Sequence, residues 1–67
     1  MAIKKFGNQE PTNEEMDAFA MSHHTAIWMR SDDFNTNVIV STREECQQMR
    51  REGLRVKGEI SAADFGY

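Results

Sequence analysis

Thr25-Ala-Ile-Trp-Met-Arg30, Ser31-Asp-Asp-Phe-Asn-Thr36 and Asn37-Val-Ile-Val-Ser41 are consecutive, and together they decide the fold. The first and third are rich in β-branched, aromatic and apolar residues, and the second is a cluster of turn formers, so the stretch reads as a β-hairpin. Both faces of each strand carry large apolar groups. Ala26 and Trp28 oppose Ile27 and Met29, and Val38 and Val40 oppose Ile39. A sheet with one wet face does not need that, so something must cover its second side.

Downstream of the hairpin, Thr42-Arg-Glu-Glu45 has the form of a capping box and opens a helix through Glu52, with Cys46 and Met49 as its clear apolar members. Gly53 is placed to close that helix in a left-handed conformation. Leu54 follows where a Schellman ending sets its apolar contact with Met49. Leu54, Val56, Gly58 and Ile60 then alternate with Arg55, Lys57 and Glu59, which predicts a third strand with one wet face. Upstream, Thr12 and Glu15 form another capping box, and Met16, Phe19, Ala20 and His23 line one face of a helix over about Asn13 to Ser22. Residues 1–11 have no sustained period and read as a flexible arm that Ile3 and Phe6 help to pin. The tail, 61–67, carries Phe65 and Tyr67, which are expected to dock.

The expectation is therefore one α+β domain over residues 1–67, with an N-terminal helix followed by a ββαβ unit. A right-handed crossover favours a three-stranded, mainly antiparallel sheet in the order 2-1-3, with 1-2-3 also open. With 67 residues a second core is out of reach, and a chain of this size hides only roughly 60% of its unfolded surface. Cys46 is the only cysteine, so no disulfide compensates, and a lone thiol suits a reducing, cytoplasmic setting. Lys4 and Lys5 are not followed by the apolar run of a secretory leader, and no stretch approaches the ~20 apolar residues of a membrane span.

The 8 Lys and Arg against 11 Asp and Glu give a net charge of -3, which argues against a general nucleic-acid binder. Five cations, Arg43, Arg50, Arg51, Arg55 and Lys57, nonetheless gather around the second helix and third strand, where they could grip phosphates. Glu44, Glu45, Glu52 and Glu59 interleave with them, and a self-paired, solvated surface is the simpler reading.

Signs of chemistry are sparse. His23, His24, Cys46, Asp32 and Asp33 are metal-ligand types, but no spacing supplies two ligands from one element. Asp33, Asn35, Asn37 and Glu44 match four positions of a calcium-binding loop. The glycine on which that loop turns is replaced by β-branched Val38. Cys46 sits on the apolar side of its helix, where free cysteine behaves as a small core hydrophobe. No paired acid and base, phosphate loop or nucleophile elbow is present, so neither enzymatic activity nor a cofactor or metal is expected.

Size, net acidity and the ββαβ core are similar in class to small phage- or mobile-element-encoded proteins that bind and inhibit a larger machine. Docking on protein is thus the leading expectation, as a homodimer or as a regulatory, inhibitory or accessory subunit on a partner with a basic surface. Trp28, Met29, Phe34 and Ile39 would be apolar anchors, and Asp32, Asp33, Glu14, Glu15 and Asp17 an acidic rim. Burial of the same apolar groups by the first helix is the competing account.

Overall fold

The structure, a computed structural model, describes residues 2–65, and for residue 65 the backbone only. Six elements follow one another: β1 (Ile3–Gly7), α1 (Asn13–Ser22), β2 (Ile27–Ser31), β3 (Asn37–Val40), α2 (Arg43–Arg51) and β4 (Val56–Ser61), with one 3-10 turn over Ala62–Phe65. The fold is α+β, and the sheet is antiparallel with the strand order β1-β3-β2-β4. Three expected strands are present as β2, β3 and β4. The expected three-stranded sheet and N-terminal helix are corrected by β1, which precedes α1 and adds a fourth strand beside β3.

The arm over residues 1–11 is therefore an edge strand for half its length. Its pattern is hidden because the register slips between Lys5 and Gly7, so Phe6 is an extra residue and Gly7 turns through φ +62°. Asn37 fixes the far end by donating from Nδ2 to the carbonyls of Gly7 (3.1 Å) and Gln9 (3.2 Å).

The chain crosses the sheet twice in interleaved fashion. β1 and β2 are parallel to each other with β3 between them, and β3 and β4 are parallel with β2 between them. Both crossovers step the same way across the sheet, yet they start from strands that run in opposite directions. Right-handed connections then put the two helices on opposite faces. The interior divides accordingly. On one face Met16 and Ala20 of α1 pack with Ala26, Trp28, Ile39 and Ala62, flanked by Phe6 and Phe19. On the other, Cys46 and Met49 of α2 pack with Ile27, Met29, Val38 and Val40, flanked by Ile3, Leu54 and Val56. Val38, Ile39 and Val40 have no exposed surface, as a strand covered on both sides requires.

Both helices start and stop as their sequences predict. Thr12 with Glu15, and Thr42 with Glu45, form complete capping boxes. Gly53, at φ +107°, ends α2 in a full Schellman pair: Leu54 N–H to Met49 C=O (3.0 Å) and Gly53 N–H to Arg50 C=O (3.1 Å). The even alternation expected from Leu54 to Ile60 is corrected. The register slips between Arg30 and Ser31 of β2, so Lys57 is an extra residue in β4. Val56 accordingly joins the α2 face, whereas Gly58 and Ile60 lie opposite Arg30 and Trp28, on the α1 side. The docking expected of Tyr67 and of the Phe65 ring lies outside the described residues.

Glu45 does more than cap. Its Oε1 accepts from the amides of Ser41 (2.9 Å) and Thr42 (3.0 Å) and from the Ser41 hydroxyl. Burial pushes this carboxyl up, but the hydrogen bonds from Ser41 and Thr42 outweigh it and hold it below its ordinary value of 4.5. A depressed folded value contributes stability that is present above about 4.5 and is lost as pH falls through the lower folded value. Glu45→Gln is expected to cost about 1–3 kcal/mol at neutral pH, because one carboxylate serves several buried donors. In urea titrations from pH 7 to pH 3 the variant should lose stability less steeply than the parent below pH 4.5. Equal acid slopes would remove Glu45 from this role.

Candidate functional site

The hairpin joining β2 to β3 is braced by its own polar groups. Ser31 Oγ donates to Asp33 Oδ1 (2.8 Å), which also accepts from the Asn35 amide (3.0 Å), and the Thr36 amide donates to Ser31 Oγ (2.9 Å). The Asn35 amide first, and then the Ser31 hydroxyl, hold the Asp33 carboxyl below the usual carboxylate range. This is an aspartate turn, and it spends Asp33 on backbone geometry. The Asp32 amide donates to the Arg55 carbonyl (2.7 Å), tying the tip to the start of β4.

The braced turn carries Phe34 at φ +60°, the one non-glycine residue with positive φ among those described. The residue is 44% exposed. A bulky L-residue rarely adopts this backbone region, and holding it there costs about 1–2 kcal/mol. Two cations steady the ring: the Arg30 guanidinium lies 5.1 Å and the Lys57 ammonium 4.8 Å from its centroid. Arg30 also lies 5.8 Å from the Trp28 ring and pairs with Glu10 at 2.6 Å.

Beside this knob is a cleft of ≈ 310 Å³ lined by Glu10, Trp28, Arg30, Gly58, Glu59 and Ile60. Arg30 belongs to both the knob and the cleft. The cleft lies where α1 leaves β4 open: Ile60 is 38% exposed, and a Cβ built on Gly58 would meet no atom of the described residues within 4 Å. A second depression, behind the turn, is lined by Ser31, Asp32, Asp33, Thr36, Gly53, Leu54 and Arg55.

Of the four apolar anchors expected from sequence, only Phe34 is at the surface. Trp28, Met29 and Ile39 are interior: α1 covers Trp28 and Ile39, and α2 covers Met29. The acidic residues occupy separate elements. Glu14, Glu15 and Asp17 lie on α1, whereas Asp32 and Asp33 are at the hairpin. Glu15 caps Thr12 and pairs with Lys4 at 3.5 Å, and the Thr12 amide chiefly lowers its carboxyl.

The basic group also divides. Arg43 and Arg50 of α2 both bind Glu59, at 2.7 and 2.5 Å, which the bulge at Lys57 turns toward that helix. Arg50 first, and then Arg43, hold the Glu59 carboxyl low against its burial. Arg51, Arg55 and Lys57 have no carboxylate partner among the described residues, and Lys57 lies on Phe34. Cys46 is buried, and burial followed by the nearby Glu59 charge pushes its thiol up, away from the thiolate a nucleophile requires. Among the described residues no three of His, Cys, Asp and Glu converge on a metal-sized site, and no helix is long and apolar enough to cross a membrane.

Sequence reasoning missed Glu10, Arg30, Gly58 and Ile60 as parts of the site, and it named Lys57 only within the basic group. The signal was Gly58 itself, since glycine inside a strand marks a bulge or a close approach by another group. No family model, curated protein or solved structure matches this chain.

Phe34→Asn tests the division between fold and site. Asparagine tolerates the left-handed region, which offsets the loss of two exposed cation–aromatic contacts worth about 0.5–1 kcal/mol each. The unfolding free energy in urea is expected to stay within about 1 kcal/mol of the parent. A loss beyond about 2 kcal/mol would make Phe34 a structural residue.

Proposed function

We propose that this chain is a non-enzymatic protein-interaction module that docks through the tip of its β2–β3 hairpin, with Phe34 as the anchor. The supporting observation is Phe34 itself, an exposed aromatic ring in a left-handed backbone that the turn's hydrogen bonds hold in place. Strain of this kind at a surface serves no packing purpose, and it occurs mainly where a side chain must be presented to something else. Aromatic residues near cations and well-ordered turns are typical binding hot spots, and a braced tip loses little entropy on association. Asp32 and Asp33 lie next to Phe34 in the chain, and Arg30 and Lys57 lie against its ring, so the tip presents charges of both signs around one apolar centre.

The alternative, phosphate binding by Arg43, Arg50, Arg51, Arg55 and Lys57, has less support. Two of the five cations are taken up by Glu59, and binding to the rest would oppose a net charge of -3.

The test compares wild type and Phe34→Asn as immobilised baits in a lysate of the native host, alongside the solution mass of each protein. Docking at the tip predicts at least a tenfold weaker association for the variant, whether the partner is another protein or a second copy, equivalent to about 1.4 kcal/mol. Equal retention of every captured protein together with equal solution mass would overturn this reading.

A further inference from the structure

We infer that the occupant of the hairpin-tip surface is a second copy of this chain, with Phe34 of each copy seated in the cleft over Gly58 of the other. This rests on the docking reading above and names its partner. A two-fold interface requires a self-complementary patch, in which a knob and the hole that fits it lie on one surface. Phe34 is such a knob, and the cleft between Trp28, Gly58 and Ile60 is the hole. They are adjacent because Arg30 lines the cleft and also lies 5.1 Å from the Phe34 ring.

The apolar parts match. Among the described residues Gly58 has open space where a Cβ would stand, and its backbone shows no positive φ, so neither a described neighbour nor a left-handed backbone requires glycine there. Glycine at such a position in a strand suits the close approach of a group from outside. Ile60 is 38% exposed at the cleft, and no residue of the described chain covers it further. A phenyl ring laid on Gly58 would cover Ile60 and take the place of the missing side chain.

The charges match as well. Lys57 accompanies Phe34 and has no carboxylate partner among the described residues. The opposite cleft presents the carboxylate of Glu10, because that of Glu59 is turned to Arg43 and Arg50 of α2. Glu10 is bound by Arg30 alone and remains exposed, so Glu10 is the acceptor for the incoming Lys57. Two-fold symmetry makes each such contact twice, once in each direction.

Sedimentation equilibrium over a concentration series up to about 1 mM, where even a pair held by only about 4 kcal/mol would associate, tests the assignment. The wild type is expected to move from 7.7 kDa toward twice that mass. Phe34→Asn removes the knob. Gly58→Gln fills the hole with a polar side chain that the open space accommodates. Each is expected to weaken dimerisation at least tenfold while urea unfolding shows both still folded. Lys57→Glu should weaken it similarly, and adding Glu10→Lys should recover part of the loss. A wild type that stays at 7.7 kDa throughout overturns the assignment, as does a dimer indifferent to both Phe34→Asn and Gly58→Gln. A monomer that captures a different protein in a Phe34-dependent way overturns the second copy as occupant and leaves hairpin-tip docking intact.

Discussion

Ser41 is the point at which the molecule is tied together. Its amide donates both to the Ala2 carbonyl (3.0 Å) and to Glu45 (2.9 Å), its hydroxyl donates to Glu45 and accepts from the Ala2 amide (3.0 Å), and its carbonyl accepts from the Thr25 hydroxyl (2.5 Å). One residue, 3% exposed, thereby joins the edge strand β1, the start of α2 and the approach to β2. The Glu45 carboxylate is the charged member of this group, and a buried charge is tolerable only because several donors face it. Without it, the first turn of α2 and the beginning of β1 would both lose their anchor. The α2 side of the core would then open at one end.

The same junction explains why so small a sheet is buried on both sides. β3 leaves Ser41 directly into α2, and β1 and β2 flank β3, so the two crossovers interleave and their helices take opposite faces. The inner strands β3 and β2 are covered twice. The outer strand β4 is covered on the α2 face by Val56 and the Glu59 ion pairs, whereas α1 leaves its other face open. The exposed surface around Gly58 and Ile60 is therefore a consequence of strand order, and it falls next to the hairpin because β2 pairs with β4 up to the turn.

Local chemistry was legible and long-range geometry was not. Both capping boxes, the Schellman ending at Gly53 and the hairpin strands are written in side chains within a few residues of one another, so their reading needs no tertiary information. β1 was not legible because Lys4 and Lys5 suit a solvated edge and the bulge at Phe6 destroys the two-residue period. The bulge at Lys57 misled in the opposite direction. Leu54, Val56, Gly58 and Ile60 alternate perfectly in sequence, yet Lys57 inserts a step that sends Val56 and Ile60 to different faces. For the site, sequence identified apolar groups on both sides of the hairpin strands without deciding what covers them. The two helices do so for Trp28, Met29 and Ile39, and Phe34 alone of that set remains outside.

Phe34 is the place where local preference and observed structure disagree most, and the disagreement has a direction. Asn35 and Gly7 show that this chain has residues suited to tight turns, and the Asp33 turn would close over Asn or Gly at position 34 with less strain. The two cation–aromatic contacts offset at most about 1–2 kcal/mol, which is no more than the backbone term they stand against. Phenylalanine thus adds nothing to folding that a smaller residue would not supply, while it exposes a large apolar ring at the end of a rigid hairpin. The core account of Trp28, Met29 and Ile39 is complete without it. What separates Phe34 from those residues is geometry rather than hydrophobicity: the sheet and helices enclose them, and the turn holds Phe34 away from every interior surface they create.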